Sequence, residues 1–174
     1  LGNLGNVYQK QGQHDRAVEH FTQAIDIARE IGDKHGEGIH LGNLGNGYKL
    51  QGQYDRAIEH FTQAINIARE IGGKLIEGSN LGNLGGVYQE QGQYDRAAEH
   101  FTQAINIARE IGDKINEGIS LGNLGDILFQ QKRLEEAEDT YRKAISICDE
   151  TKYAAAGAFR ASLALLLAQK GQVD

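Results

Sequence analysis

The sequence predicts an all-α protein, a right-handed solenoid of helix-turn-helix repeats. Three observations carry that expectation. A block of 40 residues recurs without a gap, so that residues 1–40 and 41–80 agree at 29 of 40 positions. Within each block the apolar residues keep the 3.6-residue period of a helix. In the first three repeats a glycine stands where each helix should stop.

The motif LGNLG opens at Leu1, Leu41, Leu81 and Leu121, and EHFTQAI recurs at Glu19, Glu59 and Glu99. The spacing sets repeats at about 1–34, 35–74, 75–114 and 115–151, with a partial fifth over 152–174. In a complete repeat the first helix is expected from Lys34 to about Gln51. It ends at Gly52, and a Gly-Gln-Tyr turn leads into the second helix. There Ala17, Phe21, Ala24, Ile25 and Ala28 fall at i, i+4, i+7, i+8 and i+11, one apolar stripe. Asp15 sits in its first turn, where the helix dipole favours an acid, and Gly32 suits the left-handed cap at its end.

Three faces are distinguishable on the first helix at 100° per residue. Leu1, Leu4 and Tyr8 should pack inward. Gly2 and Gly5 form a bare side that a neighbour or a ligand could approach. Asn3, Asn6 and Lys10 lie nearly opposite the Leu/Tyr stripe, on a face rich in amides. Glycine inside a helix costs about 0.5–1 kcal/mol relative to alanine, so the first helix is weak alone. Stacking against adjacent repeats has to hold it.

Composition narrows the function classes. A net charge of −6 and a pI near 5.5, with Lys and Arg scattered among acids, argue against nucleic acid. No stretch approaches the roughly 18–20 apolar residues of a membrane span, and mean hydropathy is −0.50. Cys148 stands alone, so nothing points to an oxidising compartment, and the expected location is the cytoplasm. Met is absent and Leu1 falls partway along a first helix, so a fragment of a longer array is expected.

The pattern Leu44-Gly45-x-x-Tyr48, then Gly52-Gln53-Tyr54, then Ala57-x-x-x-Phe61-x-x-Ala64 resembles the tetratricopeptide repeat. The ordinary repeat is about 34 residues long, with a proline after its second helix. Here that place carries Ala-Arg-Glu, and the period is 40. The longer form resembles the LGN/Pins adaptors and bacterial multi-repeat proteins. The fourth repeat departs from the others: Lys132 replaces the turn glycine, Leu134 the turn tyrosine and Tyr141 the phenylalanine. An Ala/Leu-rich helix is expected from about Lys152 to Lys170, with Leu163, Ala164, Leu167 and Gly171 in the Leu, Gly, Tyr and Gly slots.

The resemblance implies that first helices line a concave groove. Asn3, Asn43, Asn83 and Asn123 would then stack along it beside Asn6 and Asn46, with Gly86 and Asp126 continuing the second row. An amide can donate and accept together, and so can hold a peptide backbone whatever its side chains. The competing reading has these residues cap helices or bond to neighbouring ones. Selectivity would come from rows that vary between repeats: Lys10, Leu50, Glu90 and Gln130, then Gln9, Lys49, Gln89 and Phe129. Neutral drift explains those rows equally well.

His20, His60 and His100 cannot share a metal, because stacked helices are about 8–10 Å apart and zinc ligands sit about 2 Å from the ion. Cys148 fills a slot held elsewhere by alanine and reads as a buried apolar group. Glu37, Glu77 and Glu117 recur singly and read as surface features. No nucleophile–base constellation assembles. The expectation is therefore a non-enzymatic scaffold without cofactor, holding an extended peptide or partner helix. The rival is a sensor array of a signalling ATPase or transcription regulator, holding a small ligand or another domain. The last helix, with Leu163, Leu165, Leu166 and Leu167, suggests self-association.

Overall fold

The computed structural model describes residues 1–171, so the end of the expected fifth repeat, 172–174, lies outside the described residues. Those residues form α1 (Gly2–Lys10), α2 (His14–Glu30), α3 (Lys34–Leu50), α4 (Tyr54–Ile71), α5 (Lys74–Glu90), α6 (Tyr94–Ile111), α7 (Lys114–Gln130), α8 (Leu134–Glu150) and α9 (Ala156–Lys170). Among them no strand occurs, and no helix is long and apolar enough to cross a membrane. The chain divides into two compact units, Leu1–Val87 and Tyr88–Asp174.

In the first unit α1, α2, α3 and α4 pack successively, and α1 also touches α3. The core joins Ala17, Phe21 and Ile25 of α2 to Leu41 and Leu44 of α3 and Ala64 of α4. Leu1 and Leu4 were expected to pack inward but are 51% and 41% exposed. Their counterparts Leu41 and Leu44 are buried in one cluster with Ala17, Phe21 and Ile25 of α2, the helix before α3. The second unit packs α6 through α9 in the same succession. Its core includes Leu121, Leu128, Tyr141, Cys148, Phe159 and Leu166.

The glycines carry the packing rather than leaving space open. A Cβ on Gly45 would stand 2.8 Å from two ring carbons of Phe61, and on Gly5 2.7 Å from Phe21. On Gly42 it would meet Asn80 Oδ1 at 2.5 Å, and on Gly2 it would overlap His40. Protein atoms therefore occupy the bare side that the sequence left available to a ligand.

Helix ends follow the expected chemistry with two exceptions. Gly52 adopts φ 71°, and the amide of Gln53 donates back to the Tyr48 carbonyl at 2.9 Å. In the fourth repeat Lys132 holds the same left-handed position at φ 59°, where an L side chain is strained by about 1–2 kcal/mol. Lys132→Gly is thus expected to stabilise the chain by about 0.5–1 kcal/mol, allowing for the extra backbone freedom of glycine. Thermal melting should show a rise of about 1–4 °C; an unchanged or lower Tm would count against strain at this turn. A second left-handed lysine, Lys152 at φ 55°, follows α8, and α9 begins at Ala156, four residues later than expected.

Candidate functional site

In the first unit a cleft of about 440 Å³ opens between α3 and α5. Three of the expected amides meet there. Asn43 and Asn46 approach from α3 and Asn83 from α5, because residues three apart share one helix face. All three are half-buried, and among the described residues none of the three amides makes a hydrogen bond. Ile39, Leu75 and Ile76 supply an aliphatic wall, and His35, Lys74 and Ser79 complete the lining.

Asn80 belongs to the same cleft, and nothing in the sequence singled it out. It is 4% exposed; its Nδ2 donates to the Ile76 carbonyl at 2.8 Å, while its Oδ1 is buried without a partner. The slot holds His40, Asn80 and Ser120 in successive repeats, so its only signal was a polar residue beside an unchanging leucine.

The remaining expected residues lie elsewhere. Asn3 is exposed and Asn6 half-buried on α1, outside the cleft, and Asn123 is half-buried on α7 in the second unit. Asp126, which continues the Asn6 and Asn46 row, accepts the Tyr141 hydroxyl at 2.6 Å. Burial raises its carboxyl above the ordinary range, with the Tyr141 and Ser162 hydrogen bonds working the other way. Lys10, Leu50 and Glu90 are exposed at helix ends, Lys49 and Gln89 are half-buried, and none of the five lines the cleft.

Glu37, Glu77 and Glu117 correct the surface reading. They are 4%, 8% and 4% exposed. Each accepts from an arginine that closes the preceding helix: Arg29, Arg69 and Arg109, all at 2.7 Å. Lys34 and Lys114 add second contacts to Glu37 and Glu117 at 3.1 Å. The three carboxylates are internal clamps between successive repeats.

His20, His60 and His100 stack on Tyr8, Tyr48 and Tyr88. Burial lowers the His60 pKa, with Glu59 opposing and Arg29 and Arg56 assisting. Cys148 is buried in the core shared by α6, α7, α8 and α9, and burial together with Asp149 pushes its thiol up.

The tetratricopeptide-repeat family profile matches residues 1–70 and 77–150. The chain belongs to the tetratricopeptide-repeat family. Its fold is the all-α solenoid of that family, a protein-interaction scaffold. No curated protein matches the sequence. Among solved structures, aspartyl phosphate phosphatase F from Bacillus subtilis is 18% identical with a TM-score of 0.87, covering 95% of this chain and 43% of that one. A putative kinesin light chain with nearly identical TPR-like repeats, from Podosopora anserina, is 22% identical, with a TM-score of 0.78 over 98% and 85%. A signal-transduction ATPase with a tetratricopeptide-repeat sensor, from Pyrococcus horikoshii, is 21% identical, with a TM-score of 0.76 over 91% and 25%. The tetratricopeptide-repeat chain thus spans less than half the length of the phosphatase and a quarter of the ATPase.

Proposed function

We propose that this tetratricopeptide-repeat chain is a non-enzymatic module that holds an extended peptide or a partner helix in the cleft between α3 and α5. The observation that carries the reading is the meeting of three unengaged amides, Asn43, Asn46 and Asn83, around one aliphatic-walled cleft. Such amides can pair with successive backbone groups of a peptide while Ile39, Leu75 and Ile76 cover an apolar side chain. Asn3 and Asn6 extend the same surface on α1 in this reading, and Asn123 is the corresponding amide of α7 in the second unit. Lys10, Lys49, Leu50, Gln89 and Glu90 then act at its margins, on residues of the partner that lie outside the cleft. The partner is a protein or peptide rather than nucleic acid or membrane, in keeping with the acidic chain.

Each net hydrogen bond contributes about 0.5–1.5 kcal/mol. Asn43→Ala with Asn83→Ala should therefore weaken a peptide selected from a library by about tenfold, at unchanged helicity and melting. Undiminished binding by the double variant would show that the amides are not the contact. Unfolding of that variant would mean that they hold helices together.

The sensor reading has one observation in its favour. A cleft of about 440 Å³ falls within the roughly 300–1,000 Å³ range of small-ligand sites. The ATPase of similar fold carries its repeats as a sensor. A thermal shift produced by a low-mass compound, lost in N43A/N83A and accompanied by no captured peptide, would select it.

A further inference from the structure

Repeats one to three share a stack of rings that the fourth lacks. Tyr8 and His20, Tyr48 and His60, and Tyr88 and His100 have centroids 5.1, 5.3 and 5.2 Å apart and lie within 14° of parallel. A guanidinium covers each tyrosine: Arg16 and Arg96 at 4.0 Å from the ring centre, Arg56 at 5.3 Å. Arg96 also donates to the Tyr88 hydroxyl at 2.7 Å. One repeat later all three groups change together. Leu128 takes the tyrosine slot, Thr140 the histidine slot and Glu136 the arginine slot.

Smaller side chains, Leu128 and Thr140, stand where the two rings stood. Where the stack is present, Tyr48 and His60 line a groove of about 300 Å³ across α2, α3 and α4. A groove across α6, α7 and α8, which shares with it the slots of Thr22, Leu44, Tyr48 and His60, measures about 490 Å³. Leu124 and Leu128 line it with aliphatic carbon, and Thr140 turns its hydroxyl back to the Glu136 carbonyl. Glu99, Glu136 and Asp139 bring three carboxylates to the lining against one cation, Arg133. Arg133 pairs with Glu136 at 2.6 Å, and Lys143 pairs with Asp139.

We propose that this groove is a second binding surface, which takes an aromatic side chain and an adjacent arginine from a partner polypeptide. The protein's own repeats display the fit: a ring seated in the groove, with a guanidinium laid over it. A guest ring covers Leu124 and Leu128, and its arginine lies where Arg96 lies one repeat earlier, beside Glu136. Attraction between a cation and a ring face holds the pair together, and the acidic lining draws the guest's charge. Its lining on α6, α7 and α8 shares no residue with the Asn43 and Asn83 cleft, so it does not depend on that cleft.

The test uses the full chain and three labelled pentapeptides of glycine and serine around a central arginine–tyrosine, glutamate–tyrosine or arginine–alanine pair. Fluorescence anisotropy should show the arginine–tyrosine peptide binding about tenfold tighter than either control. The variant L128Y/E136R/T140H, which rebuilds the stack inside the groove, should lose about tenfold, whereas N43A/N83A should bind as the parent does. Glu136→Gln, at an exposed site, should lose about threefold at low salt and little at high salt. Circular dichroism verifies that the rebuilt variant is folded; if it is not, Leu128→Tyr alone and Glu136→Gln decide. Equal affinity for the three peptides, undiminished binding by the refilled groove, or no binding at millimolar peptide each overturns the proposal.

Discussion

Phe61→Ala is expected to remove about 3–5 kcal/mol of stability, a large share of the roughly 5–15 kcal/mol that holds a domain folded. Phe61 is completely buried in α4, between Ala57 and Ala64 on its own helix and the bare backbone of Gly45 on α3. The helices approach so closely at Gly45 that a single methyl there would collide with the ring. Backbone on one side and small residues on the other leave nothing to move into the space of a deleted ring, so the cavity term is near its maximum. Urea unfolding should show a lower midpoint at unchanged slope, and melting should fall by about 6–20 °C. Phe61→Tyr should be far milder. Tyr141 fills the same slot in the fourth repeat by donating to Asp126, and Asn46 stands in the corresponding place on α3. A loss below about 1 kcal/mol for Phe61→Ala would refute the close-contact account.

Removing both cations from Glu37, with Arg29→Ala and Lys34→Ala, is the second large effect. It strands a carboxylate that is 4% exposed. Breaking a buried ion pair from one side costs about 3–5 kcal/mol; the Arg29 and Lys34 side chains are 51% and 54% exposed, so about 2–3 kcal/mol is expected at neutral pH. The pH dependence separates this from a packing loss. Burial pushes the Glu37 carboxyl up, but the hydrogen bonds from Arg29 and Lys34 outweigh it and hold the group below its ordinary value of 4.5. The clamp therefore stabilises fully above that value and is lost as pH falls through the lowered one. In the double variant only the burial remains, so the carboxyl titrates above its unfolded value and the penalty disappears as it protonates. The stability gap between parent and variant should be widest near neutrality, narrow as the variant's carboxyl protonates, and close only once pH has fallen through the lowered value of the parent. A gap independent of pH would mean that Arg29 and Lys34 act through their aliphatic stems.

His60 adds to the acid sensitivity. Its folded pKa lies below the ordinary 6.5, chiefly through burial, so the unfolded chain takes up the proton first. Its contribution is complete above pH 6.5 and declines as pH falls through the lowered value.

The sequence by itself determined the all-α repeat, its 40-residue period and most helix ends, because those features are local. A stripe at i, i+4, i+7, i+8 and i+11 marks the buried face of α2 whatever lies on it, and a glycine after the last turn stops a helix from within its own few residues. The amide face of the first helices was legible for the same reason. What lies against each face was not. Glu37 looked like a lone surface acid because Arg29 reaches it only across a turn, once α2 and α3 pack. Gly42 looked open because Asn80, which fills the space beside it, is 38 residues away. Of the six asparagines read as one ladder, packing brings Asn43, Asn46 and Asn83 to a single cleft and adds Asn80, whose slot changes from repeat to repeat. Helical periodicity sets the direction of a side chain about its own axis. Only the approach of a second helix decides whether that direction meets a ring, a charge or open water.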